Sequence, residues 1–176
     1  LLEGGEMKHI PKKDWMGCAV ATAAMIAELT YEEVAACQLN LDVAGMRWPR
    51  ALCALLKDVT DTNWKVKSYW FRRPALGQFF VPESPVAVFL QDAAFRPRLG
   101  QWIVVKREIV HDPGEKNVFT VSTYPRRDWR VAYYAHPVRP AEFARNQARQ
   151  RADKIHHVLE MEGIGIPHVG AERVCE

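Results

Sequence analysis

The 176-residue sequence has no Cys-x-x-Cys pair and no long apolar run. Its four cysteines, Cys18, Cys37, Cys53 and Cys175, stand far apart, and no Cys/His cluster has zinc-ligand spacing. A disulfide scaffold and a zinc centre are therefore unsupported, and neither metal nor cofactor is expected. The longest apolar stretch, Ala19 to Ala27, reaches about half of the ~20 residues a membrane helix needs, so no membrane span is expected. No basic start leads into a continuous apolar segment, as a signal peptide would require. Reduced thiols and a cytoplasmic location are the corresponding expectation. An excess of one charge is also lacking. With 24 Lys+Arg against 21 Asp+Glu the net charge is +3, too small to imply a nucleic-acid partner.

What the sequence does have is bulk. Hydrophobic residues make up 48%, with six Trp, five Tyr and seven Phe, enough to bury a core without covalent staples. The length suits one ordinary domain with a small appendage. Residues 1–6, before Met7, are set aside as an upstream extension or cloning remnant. Residues 7–138 are read as the domain, and 139–176 as an appended basic helix and tail.

Hydrophobic patterning divides the domain in two. From Gly17 to Leu29 apolar side chains fall on every side, which describes a buried central helix. Thr30-Tyr31-Glu32-Glu33 is a capping box opening a second helix, and Trp48-Pro49 opens a third with Leu52, Leu55, Leu56 and Val59 inward. After Asp61 the period changes to two. Trp64 to Phe71 alternates, Val86 to Leu90 reads as a fully buried strand, and Trp102–Val105 with Ile109–His111 suggests a tight hairpin. Asn117–Val121 and Trp129–Tyr134 add two short strands around a Pro-Arg-Arg-Asp turn, whose Arg126 and Arg127 are expected to be solvated. Helices first and an antiparallel sheet second is the α+β pattern. Beyond His136-Pro137, Ala141, Ala144, Ala148, Ala152, Ile155 and Leu159 form a narrow stripe on a helix spanning 140–162. That helix either packs on its own domain or mediates a homo-oligomer or partner contact.

Cys18 is the candidate for chemistry. It follows Gly17 at the head of the Ala-rich helix, where unpaired N–H groups and the dipole favour a thiolate and are expected to lower its pKa. A small buried cysteine that merely begins a helix is the alternative. The order Gly17-Cys18, an Ala-rich helix with Ala24-Met25, a capped helix at Tyr31-Glu32-Glu33-Val34, and a late strand pair ending in Asp112-Pro113 resembles a known family. That family is the papain-like cysteine peptidases of the bacteriocin-processing (double-glycine) group, whose stand-alone bacterial and phage members share this layout. The resemblance spans roughly Met7 to Pro137.

The resemblance implies a papain-like fold and four catalytic parts. These are a helix-head cysteine, a strand-opening histidine, an orienting acid and a glutamine about six residues before the cysteine that serves the oxyanion. Cys18 matches the nucleophile and Asp112 the acid. Gln101 stands where the histidine belongs, and Lys12 where the glutamine belongs. An amide cannot shuttle a proton at neutral pH. His111, beside Asp112 on a strand, is expected to face away from Cys18. His9 could approach the site from the N-terminal segment. Lys12 could pair with a thiolate or stand in as a crude oxyanion donor. Trp15, Gly17, Gly100 and Trp102 flank these positions and are the expected peptide contacts, with Arg96-Pro97-Arg98 as a basic rim. The functional expectation is a degenerate peptidase homologue that binds a peptide or protein ligand as a scaffold. A working cysteine peptidase or thiol acyltransferase, and an assembly protein acting through the 140–162 helix, remain the alternatives.

Overall fold

The computed structural model describes residues 7–14, 17–37, 49–69, 71–79, 83–92 and 100–138. All of these belong to the unit that runs to Val138. The expected 140–162 helix, Trp15 and the Arg96–Arg98 rim lie outside the described residues.

Helix α1 (Cys18–Ala27) buries every residue from Ala19 to Ile26, as its all-round apolar composition requires. It stops short of Leu29 because Glu28 turns into the left-handed region at φ 58°, its N–H closing on the Ala24 carbonyl. Helix α2 (Tyr31–Cys37) starts with the anticipated capping box. The Thr30 N–H donates to Glu33 Oε2 at 2.7 Å, and the Glu33 N–H donates to Thr30 Oγ1 at 3.2 Å. Helix α3 (Pro49–Thr60) begins on its proline and turns Leu52, Leu55 and Leu56 fully inward.

Among the described residues the three helices are followed by six strands: β1 (Trp64–Ser68), β2 (Val86–Gln91), β3 (Gly100–Lys106), β4 (Ile109–His111), β5 (Phe119–Thr120) and β6 (Arg130–Pro137). They form one sheet in the order β1-β6-β2-β3-β4-β5, with each neighbouring pair antiparallel. The fold is therefore α+β. Strand β1 ends earlier than its alternating sequence suggests. Its register with β6 stops at Ser68–Tyr133, and Phe71 is fully exposed. The chain rejoins β6 only at Pro74, whose carbonyl accepts from the Val131 N–H, while Pro74 itself has no N–H to continue a ladder.

The sheet separates two apolar layers. Ala87, Phe89, Trp102, Val104 and Ala135 pack beneath the helices. Val88, Leu90, Ile103, Val105 and Val110 face Leu76, Phe79 and Tyr124 on the other side. Strand β2 is covered on both faces, which explains its unbroken apolar run. The layers fix two positions: α1 lies against β3, and β4 carries the chain directly into Asp112. Among the described residues no helix is long and apolar enough to cross a membrane.

Candidate functional site

Cys18 is the first residue of α1, preceded by Gly17 as a cap with no side-chain hydrogen bond. A Cβ on Gly17 would lie 2.2 Å from the Tyr31 hydroxyl, so any other residue there requires the Tyr31 side chain to move. The thiol is half-buried against the helix-side core. Burial pushes its pKa up. A backbone hydrogen bond from Trp102, the charge of Lys12 and the first amides of α1 pull the other way and lose. This corrects the expectation of an activated thiolate. The helix-head field is present, but the sulfur is packed between α1 and β3, where burial disfavours the thiolate more than that field favours it. Cys53 is raised to about 11 by burial alone, whereas Cys37 is exposed. Iodoacetamide at pH 7.5 is therefore expected to modify Cys37 at least about tenfold faster than Cys18 or Cys53, read by peptide mass spectrometry. Equal rates at Cys18 and Cys37 would show that the helix head outweighs burial.

Strand β3 brings Gln101 next to the residue whose backbone touches the thiol. The Gln101 Nε2 donates to Asp112 Oδ1. Asp112 is fully buried and saturated with donors. Oδ1 also accepts from the Gly114 N–H at 2.7 Å, and Oδ2 accepts from the Tyr124 hydroxyl and the Arg126 guanidinium, each at 2.6 Å. Arg126 pairs further with Glu115 at 2.8 Å and lies over the Trp129 ring. The expectation of a solvated Arg126 is thus corrected: an acid buried at the end of β4 needs a cationic partner, and the 122–129 turn supplies it. Burial and the Asp112 charge also push the Tyr124 pKa well up, so its hydroxyl stays a donor.

Lys12 sits on a segment that crosses this region. Its N–H donates to the Pro113 carbonyl at 2.9 Å, while Met7 and Ile10 are buried in the helix-side core. Beyond it, Asp14 accepts from the Tyr31 hydroxyl at 3.2 Å, and Lys13 pairs with Glu32. Burial, followed by the Asp14 charge, pushes the Tyr31 pKa up to about 12, with Cys18 contributing. Residues 7–14 thus form a strap that ties the 112–115 loop to α2.

The four expected peptide contacts fare differently. Trp15 is outside the described residues. Gly17 lies close under the Tyr31 hydroxyl, and a Cβ on Gly100 would meet the Phe89 ring at 2.2 Å. Trp102 is corrected. Its indole is 1% exposed and packs 5.0 Å from the Phe89 ring, so only its backbone faces the thiol. The histidines lie elsewhere. His9 hydrogen-bonds the Glu115 carbonyl at 2.9 Å and stacks on His111 at 6.0 Å, and His136 pairs across to Lys65 in the sheet. Among the described residues no histidine is hydrogen-bonded to Cys18 or to Asp112.

Sequence reasoning gave no part in the site to Asp14, Tyr31, Tyr124 or Arg126. Tyr31 carried a signal only for its place in the capping box, not for the bond of its hydroxyl to Asp14. Tyr124 and Arg126 carried none. Chemically these residues offer a thiol with an ammonium nearby at the head of α1, and an amide–carboxylate pair at the β3–β4 end of the sheet, and among the described residues no histidine is bonded to either. A comparison with protein-family models returns no match, and a comparison with curated proteins returns none either.

Proposed function

We propose that this domain is a papain-like peptidase homologue that retains the cleft and the cysteine but has lost the proton shuttle, and that it acts by binding an extended peptide. The observation that carries the reading is the Gln101 amide donating to the buried Asp112 carboxylate, the place and the bond that an imidazole would take in a working site. Three features support it. The thiol stands at the head of a buried helix beside the residue that follows Gln101, Lys12 is near it, and helices precede an antiparallel sheet. A half-buried thiol whose pKa burial raises, without a base, is poorly suited to amide hydrolysis, because nothing would protonate the leaving amine.

Fluorescence anisotropy with a labelled library of extended peptides containing small residues tests this directly. Saturable binding is expected to persist in Cys18→Ala, and the wild-type chain is expected to hydrolyse a peptide ester no faster than Cys18→Ala does. Ester turnover that vanishes in Cys18→Ala would mean a working enzyme. Absence of saturable binding across the library would remove the peptide-binding role.

A further inference from the structure

The cysteine reading makes no use of the two histidines that meet under the strap. His111 is 5% exposed on β4, fixed by its register with Val104. Its ring stacks on His9 with centroids 6.0 Å apart and planes 27° apart. His9 Nε2 takes a hydrogen on donating to the Glu115 carbonyl at 2.9 Å, which leaves Nδ1 as its second nitrogen. The Nδ1 atoms of both rings are buried and have no hydrogen-bond partner. An imidazolium carries a hydrogen on each nitrogen, so protonating His111 places an N–H donor at a buried Nδ1 with no acceptor.

The charges that act on His111 do not offset this. Lys8 on the strap, Lys106 at the end of β3 and Arg107 in the hairpin turn line the same cleft as His9 and His111. The acids on that cleft are Glu28 after α1, Asp58 and Asp61 at the end of α3, and Glu83 before β2. The forces acting on His111 itself are burial, then His9, then Lys106, and each disfavours its protonation. Glu115, whose carbonyl holds His9, has its carboxylate on Arg126.

We propose that the stacked His9–His111 pair is a pH-sensitive latch: acid releases the 7–14 strap from the sheet, and with it withdraws Lys12 from the Cys18 thiol. The strap is the side that yields. His111 belongs to a paired strand, whereas the strap is joined to the 112–115 loop by the His9–Glu115 bond and the Lys12–Pro113 bond. Moving the strap separates the two rings, hydrates both Nδ1 atoms and uncovers Met7 and Ile10. The sign follows from linkage. The folded His111 pKa is lowered to about 4 against an ordinary 6.5, so the closed state is fully favoured above pH 6.5 and loses ground as pH falls toward 4.

Amide exchange of the wild-type chain at pH 7.0 and 5.0, corrected for the intrinsic chemical rate, tests the latch. The Lys12 amide is expected to lose protection about tenfold or more, with the β2 and β6 amides unchanged. Labelling of Cys18 by 4,4′-dithiodipyridine, a reagent that reacts in acid, is expected to rise in parallel. His111→Phe keeps a stacked ring and removes the His111 titration, on which the latch rests, and is expected to hold the strap closed at pH 5.0. Unchanged Lys12 exchange, an equal rise in His111→Phe, or a rise spread over the whole sheet each overturns the proposal. Should His111→Phe not fold, the imidazole resonances of the wild-type chain decide. His111 must titrate well below 6.5 with the midpoint of Lys12 exchange following it, and a normal pKa or unrelated midpoints overturn the latch.

Discussion

Replacing Asp112 with alanine is expected to lower the melting temperature by about 10 °C, measured by calorimetry. Asp112 is fully buried and accepts from Gln101, Gly114, Tyr124 and Arg126. Alanine would leave the Tyr124 hydroxyl, itself 1% exposed, without its acceptor, along with the Gly114 amide. Buried groups stranded in this way cost ~1–3 kcal/mol each. Arg126 keeps Glu115 and is partly solvated, so its share is discounted. A total of about 3 kcal/mol, at ~3 °C per kcal/mol for a domain of this size, gives the expected shift. Asp112→Asn retains one acceptor oxygen and is expected to lose about half as much. Melting within ~2 °C of wild type for both variants would show that the hub contributes little and that the acid is dispensable to the fold.

The parts of the fold that were legible in the sequence are those whose cause is local or periodic. The Ala-rich run of α1 admits one solution, a helix buried on all sides. Thr30 and Glu33 satisfy each other's backbone within a single turn, and the unbroken apolar run of β2 requires cover on both faces. Strand order was beyond reach. Strand β6 inserts between β1 and β2, and nothing in the residues of Arg130–Pro137 names those neighbours. The same limit applies at the site. Gln101 and Asp112 are close in sequence and joined by a hairpin, so their meeting was foreseeable. Arg126 reads as a turn charge until the turn is seen folded over Asp112. The sign of the Cys18 shift fails for a related reason. The helix-head field is a property of one element, but desolvation depends on how α1 and β3 close over the sulfur, and that larger effect is tertiary.

Installing Gln101→His together with Lys12→Gln is expected to raise hydrolysis of a peptide ester at least ~100-fold over the wild-type chain, dependent on Cys18. A histidine at 101 would begin β3 as Gln101 does, so one ring nitrogen can take over the bond to Asp112 Oδ1. The second nitrogen then titrates near neutrality and, where it reaches the thiol, serves as the base that the wild-type amide cannot be. The imidazolium also supplies the counter-charge that burial denies the thiolate, so the raised Cys18 pKa should fall in the variant. Lys12→Gln exchanges an ammonium for an amide donor without touching the Lys12 N–H bond to Pro113, so the strap stays anchored. The rate should rise with pH through ~6–7 as the new imidazole loses its proton, a limb absent from the wild-type profile. Arg126 sets the ceiling. It occupies Asp112 Oδ2 and shares the negative charge that would otherwise stabilise the imidazolium, so the gain should stop well short of a fully evolved triad. A folded double variant with no Cys18-dependent gain would mean that position 101 does not face the thiol, and the lost-shuttle reading would fall with it.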